Sequence, residues 1–182
     1  MTATDLRAAR AADPSFDAEA FLSAVTGLFR DVRSAYSDGN LDRVTGRIAP
    51  ELAAIFERQS RFLTGERTMS AVDAVAAELH GVEMGSDGEL RTVVRFDVTG
   101  RLGAVALSAD LPPATQLAGL PTRHWFEIWR LSRPCGFTTP PPATNCPSCG
   151  APSTGESHCH YCNALLIDAT ANFRVDAIEC MG

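Results

Sequence analysis

Apolar side chains first recur along the chain with a helical period. In DPSFDAEAFLSAVTGLFRDVRSAYSDGN they fall at Phe21, Leu22, Val25, Leu28, Phe29, Val32, Ala35 and Tyr36. That stripe is sustained for about four turns of one helix face. Asp17 suits the N-cap, Glu19 favours the first turn, and Asp38-Gly39 stops the helix. Asn40 can cap a short second helix over about 41–46. Pro50 suits the first turn of a third helix. Leu52, Ile55, Phe56, Phe62 and Leu63 would form its apolar side, and Gly65 would end it.

The period then drops to two. Residues 68–84 are rich in Val and Ala and predict a strand with a kink near Gly81; the SDG at 86–88 is a turn. In LRTVVRFDV, Leu90, Thr92, Val94, Phe96 and Val98 share one face, while Arg91, Val93, Arg95 and Asp97 share the other. Residues 99–121 suggest one more strand around 104–109 and then a loop through Pro112-Pro113. HWFEIWRL at 124–131 is a strong strand, with Trp125, Glu127 and Trp129 opposing Phe126, Ile128 and Arg130. NFRVDAIECM at 172–181 reads as the last strand. Helices followed by an antiparallel sheet give an α+β order.

A cysteine-rich segment lies between the last two strands. It runs CPSCGAPSTGESHCHYC after a Pro-rich approach. Cys146 and Cys149 form one C-x-x-C pair, and Cys159 and Cys162 form another. Four thiolates at this spacing predict a tetrahedral zinc site. A thioredoxin-like redox pair is the alternative for a single C-x-x-C, but two pairs close together favour metal. Gly150 and Asn163 each follow a pair, where a knuckle needs positive φ. His158 and His160 are read as surface groups rather than ligands. The expected organisation is a tail over 1–12, an α+β domain over 13–133 and 172–182, and an inserted zinc ribbon over 134–171.

The 182 residues suit one domain plus that insertion. Net charge is −6, and all 16 basic residues are arginines. The missing lysine excludes Schiff-base chemistry and a P-loop. No Arg or Lys stands between Arg133 and Arg174, so the ribbon lacks the cations that nucleic-acid binding needs. Four thiolates would also close the zinc to substrate, which argues for structural Zn2+. The opening MTATDLRAARAADPSF is polar, with no pattern of a secretory signal, and no run of about 18 apolar residues occurs. These features point to the cytoplasm and to reduced cysteines.

Further residues invite a functional reading. Tyr36, Asp97, His124 and Glu127 are the polar candidates for acid–base chemistry, though no motif couples any two of them. Asp97 is expected to pair with Arg95 or to be solvated. Trp125 and Trp129 are expected in the core rather than in a ligand cage. Arg30, Arg33, Arg43, Arg47, Arg58 and Arg61 interleave with Asp31, Asp38, Asp42, Glu51 and Glu57, as on a solvated mixed surface. Cys135 and Cys180 would lie close together if the strands flanking the ribbon pair.

The stretch DPSFDAEAFLSAVTGLFRDVRSAYSDGNLDRVTGRIAPEL resembles the opening of the Tim44-like domain. The strand with Trp125, Glu127 and Trp129 is similar to the family's W-x-E-x-W strand. Cys146 to Pro152, Cys159 to Cys162 and Phe173 to Ile178 are similar to the ribbon and final strand of bacterial members. The resemblance spans about residues 13–180. It implies a cone-shaped, nuclear-transport-factor-two-like arrangement, with N-terminal helices on a curved antiparallel sheet. The mitochondrial relative helps tether the import motor at the inner membrane, and its matching domain has been linked to lipid and translocase contact. The resemblance therefore implies a non-catalytic binding or scaffolding domain that engages a protein partner. The alternatives are a small-molecule-binding or enzymatic cone, and a peripheral membrane adaptor of a translocase-like assembly. The acidic charge disfavours membrane contact at the inner membrane.

Overall fold

A computed structural model of the chain describes residues 7, 10–11, 13–14, 16–44, 46–62, 65–107, 110–134, 145–146, 149–152, 160–162 and 173–181. Helix α1 runs Ala18–Asp38, a 3-10 turn follows at Leu41–Val44, and helix α2 runs Pro50–Phe62. Strands β1 (Glu66–Met84) and β2 (Glu89–Ala106) come next, then helix α3 (Pro113–Ala118) and strands β3 (Arg123–Pro134) and β4 (Arg174–Met181). The strands form one antiparallel sheet in the order β1-β2-β3-β4. The architecture is α+β.

The ends of α1 are set locally. The Asp17 carboxylate accepts the Ala20 N–H at 2.8 Å, a cap that contributes about 1 kcal/mol. At the other end Gly39 takes φ 67°, and the Asn40 N–H donates to the Ala35 carbonyl at 2.9 Å. Arg67 of β1 donates to the Asp38 carbonyl at 2.8 Å, placing a cation at the negative end of the helix dipole. A side chain at Gly39 would collide with that guanidinium. The Ser70 N–H donates to the Ser37 hydroxyl at 3.0 Å and ties α1 to β1.

The inner face of the sheet carries Leu90, Val94, Phe96 and Val98 of β2 with Trp125, Trp129 and Leu131 of β3, all buried against Phe21, Val25, Phe29 and Val32 of α1. Phe29 meets the rings of Phe96 and Trp129 at centroid distances of 4.6 and 5.3 Å, within the favourable range for aromatic pairs. The expected faces of β2 hold, and the core reading of both tryptophans holds with them.

Three local expectations change. The strand expected around 104–109 is the end of β2, whose residues 104–106 pair with β1. The loop expected through Pro112-Pro113 gives way to α3, which begins at Pro113. There the Gln116 side chain accepts the Ala106 N–H at 2.9 Å and donates to the carbonyls of Ala106 and Leu111 at 2.8 and 2.9 Å. On α2, Leu52 is buried, but Ile55 stays 47% exposed. The kink expected near Gly81 is a register shift between Leu79 and Gly81; a second lies between Val72 and Ala74. Beside β4, the Val175 N–H donates to the Arg47 carbonyl and the Ala49 N–H to the Val175 carbonyl, both at 2.8 Å. The segment before α2 thus covers the start of that edge.

Candidate functional site

Strand alternation sets Trp125, Glu127 and Trp129 side by side on the face that meets α1. The Trp125 indole N–H donates to Glu127 Oε1 at 2.7 Å, and the Trp129 indole N–H donates to Oε2 at 2.9 Å. Arg33, reaching down from α1, donates to Oε1 and completes an ion pair. Glu127 has no exposed surface. A carboxylate in such a place is tolerable only with a cation and full hydrogen bonding, and here it has both. Arg33, expected on a solvated surface, is instead the partly buried partner that this strand requires.

Next to the pair lies a cavity of about 370 Å3 between α1, α2 and the sheet. Val32, Tyr36, Phe56, Leu102, Trp125 and Ile178 supply much of its wall. The Tyr36 hydroxyl donates to Gln59 at 3.4 Å. Burial raises the Tyr36 pKa, opposed by the charge of Arg33. Asp97 and His124 are elsewhere. They pair with each other on the outer face of the sheet, while the neighbouring Arg95 guanidinium stacks over Phe126 at 4.1 Å. The four polar candidates therefore do not converge. Cys180 lines the cavity, 3.8 Å from an Arg33 nitrogen; Cys135 lies outside the described residues.

A second buried ion pair joins the chain's opening to the base of the cysteine segment. Asp13 has no exposed surface, and it accepts from Arg133, also buried, at 2.7 Å. The Arg133 guanidinium stands 4.7 Å from the Phe173 ring centre and 5.9 Å from that of Phe16. Residues 133 and 173 flank the cysteine segment, so Asp13 and Phe16 grip its two ends. The sequence offered no signal for this contact beyond the aspartate and phenylalanine of DPSF.

The cysteine segment folds back at its first pair. The Cys146 N–H donates to the Ala151 carbonyl at 2.7 Å, and the Gly150 N–H donates to the Cys146 carbonyl at 2.8 Å. Gly150 takes φ 74°, as a knuckle requires. The sulfurs of Cys146, Cys149 and Cys162 lie within 4.8 Å of one another, with Cys146 and Cys162 at 3.5 Å. Tetrahedral zinc with bonds of about 2.3 Å sets its sulfurs about 3.8 Å apart, so the three thiols fit and could hold a metal ion. Cys159, His158 and Asn163 lie outside the described residues. His160 is not in the cluster.

A family model described as the Tim44-like domain matches residues 2–101, more than half of the sequence. The chain belongs to the Tim44-like domain family. The match covers α1, α2, β1 and most of β2. It stops before the W-x-E-x-W strand and before the cysteines, so the cysteine cluster lies outside the matched Tim44-like region. No curated protein matches the chain.

Proposed function

We propose that this Tim44-like protein is a non-catalytic binding and scaffolding domain that engages a protein partner, and that its insertion over 134–171 is a structural zinc ribbon. One observation carries the non-catalytic reading. Glu127, bonded to the cavity-lining Arg33 and Trp125, spends both oxygens on two indoles and an arginine. A general base needs a lone pair within reach of a substrate proton; three donors already engage the Glu127 carboxylate, and the residue has no exposed surface through which a substrate could approach. Asp97 and His124 sit on the far face of the sheet.

In the ribbon, Cys146, Cys149 and Cys162 would be joined by Cys159 as the fourth zinc ligand. Zinc bound by four thiolates supplies no catalytic position; its chemistry here is to order a segment with little core of its own. The net charge of −6 weighs against an anionic membrane or nucleic acid as the partner. Among the described residues no helix is long and apolar enough to cross a membrane. A cytoplasmic position is part of the proposal. The apolar cavity favours a second reading, a small-molecule-binding cone.

The test is capture of the tagged chain from its own cells after mild crosslinking, with mass spectrometry. One protein recovered reproducibly, and retained by a charge-neutral cavity variant such as Gln59→Ala, supports the scaffold. Recovery of no protein, with a metabolite co-purifying instead, overturns it for the cone.

A further inference from the structure

The cysteine cluster combines two features that a purely structural zinc site does not need. Cys149 and Cys162 are exposed, whereas Cys146 is buried. In addition, no arginine or lysine lies anywhere from 134 to 173. Zinc bound by four thiolates would carry a net charge of −2, which no arginine or lysine of the segment itself offsets. Exposed thiolates of this kind are nucleophiles. A partner for an oxidised Cys162 is already in place, since the Cys146 sulfur is 3.5 Å away.

We propose that the cluster is a reversible oxidant-sensing site, with hydrogen peroxide or a similar two-electron oxidant as its substrate. This rests on the zinc-ribbon reading. The Cys162 thiolate attacks one peroxide oxygen; the O–O bond breaks, hydroxide leaves, and Cys162 becomes a sulfenic acid. The Cys146 thiolate then attacks that sulfur and expels a second hydroxide. The two hydroxides take up two protons and become water. Two electrons have passed from the two sulfurs to the peroxide, and one disulfide remains. Bridge formation moves the sulfurs together by about 1.5 Å, to the disulfide length of about 2.05 Å. It removes two ligands, so the metal is released. Because Cys146 and Cys162 belong to different knuckles, the bridge preserves their proximity, and reductant plus zinc can restore the site.

The experiment uses the full chain in a Cys135→Ser, Cys180→Ser background, which removes the thiols outside the cluster. Zinc is first quantified. Hydrogen peroxide is then added with a chromogenic zinc chelator, and disulfides are mapped by non-reducing peptide mass spectrometry. The expected result is zinc release at least tenfold faster than with chelator alone, a Cys146–Cys162 bridge, and recovery on adding reductant and zinc. Retention of zinc under peroxide overturns the sensor while leaving the ribbon intact. Release accompanied by sulfonic acids, or by a bridge confined to one C-x-x-C pair, also overturns it. A preparation that takes up no zinc before peroxide overturns the ribbon reading itself.

Discussion

Replacing Glu127 by Gln tests the account of the buried pair most directly. The substitution keeps the shape of the side chain but removes its charge. It strands Arg33, whose side chain is only 14% exposed, and turns an amide NH2 toward an indole N–H. Losing one partner of a buried ion pair costs about 3–5 kcal/mol. An orphaned buried donor costs about 1–3 kcal/mol more. Part of the first term is recovered as Arg33 tilts toward water, so the expected loss is about 4 kcal/mol. Domains of this kind have about 5–15 kcal/mol in total, so E127Q should fold but melt early. The assay is equilibrium urea denaturation followed by tryptophan fluorescence. Both tryptophans of the chain donate to this carboxylate, so the probe sits at the perturbation. Arg33→Met combined with E127Q no longer strands a cation. It should cost about 2 kcal/mol less than the two single changes added together, as expected for coupled neighbours. A loss below 1 kcal/mol in E127Q, or simple additivity in the double variant, would refute the claim that Arg33 and Glu127 form one buried unit.

Other outcomes can be checked with simple means. Gly100→Ala should be strongly destabilising, by about 2–3 kcal/mol, because the new Cβ would stand 2.1 Å from the Ala71 carbonyl oxygen; thermal denaturation measures it. Tyr36 titrates above its ordinary 10.0 because burial outweighs the pull of Arg33. The folded state thus holds the phenol proton more tightly than the unfolded chain, so this stabilisation is complete below pH 10 and is lost as the pH rises through the folded value. In a Tyr161→Phe background, ultraviolet titration should give one tyrosine midpoint above 10, and a midpoint at or below 10 would contradict the partly buried placement. Purified protein should bind one zinc, and Cys146→Ser should lose it and expose the segment to protease while β2 and β3 stay protected in hydrogen exchange.

The chain wrote its local structure openly and its long-range chemistry poorly. Helix α1 was legible because its stripe, its Asp17 cap and its Gly39 stop all agree within one segment. The faces of β2 and β3 were legible for the same reason. Helix α3 was hidden because two prolines read as a loop, and it is held by one glutamine side chain bonded to Ala106 and Leu111 together with the buried Leu117. The roles of Glu127 and Arg33 were misjudged separately. Each looks ordinary alone, and only the packing of α1 on β3 shows that they neutralise each other. The Asp13–Arg133 pair was illegible for a similar reason, since its halves lie at opposite ends of the domain. In the cysteine segment, spacing alone identified the three cysteines that the fold brings together.

Strand β1 is the longest in the sheet, and among the described residues no other strand runs along its outer side. In a crowded cell such an edge is a template on which a second chain can zip into a growing fibril. The two register shifts break the template. Asp73 and His80 each add a residue that has no opposite number on β2, so an incoming strand would fall out of step at both places. Only Glu66–Val72, Ala74–Leu79 and Gly81–Met84 remain as regular stretches, and glutamates stand in all three. The outer strand can therefore be long enough to wall the cavity with Thr68 without offering a long regular ribbon to its own copies during synthesis.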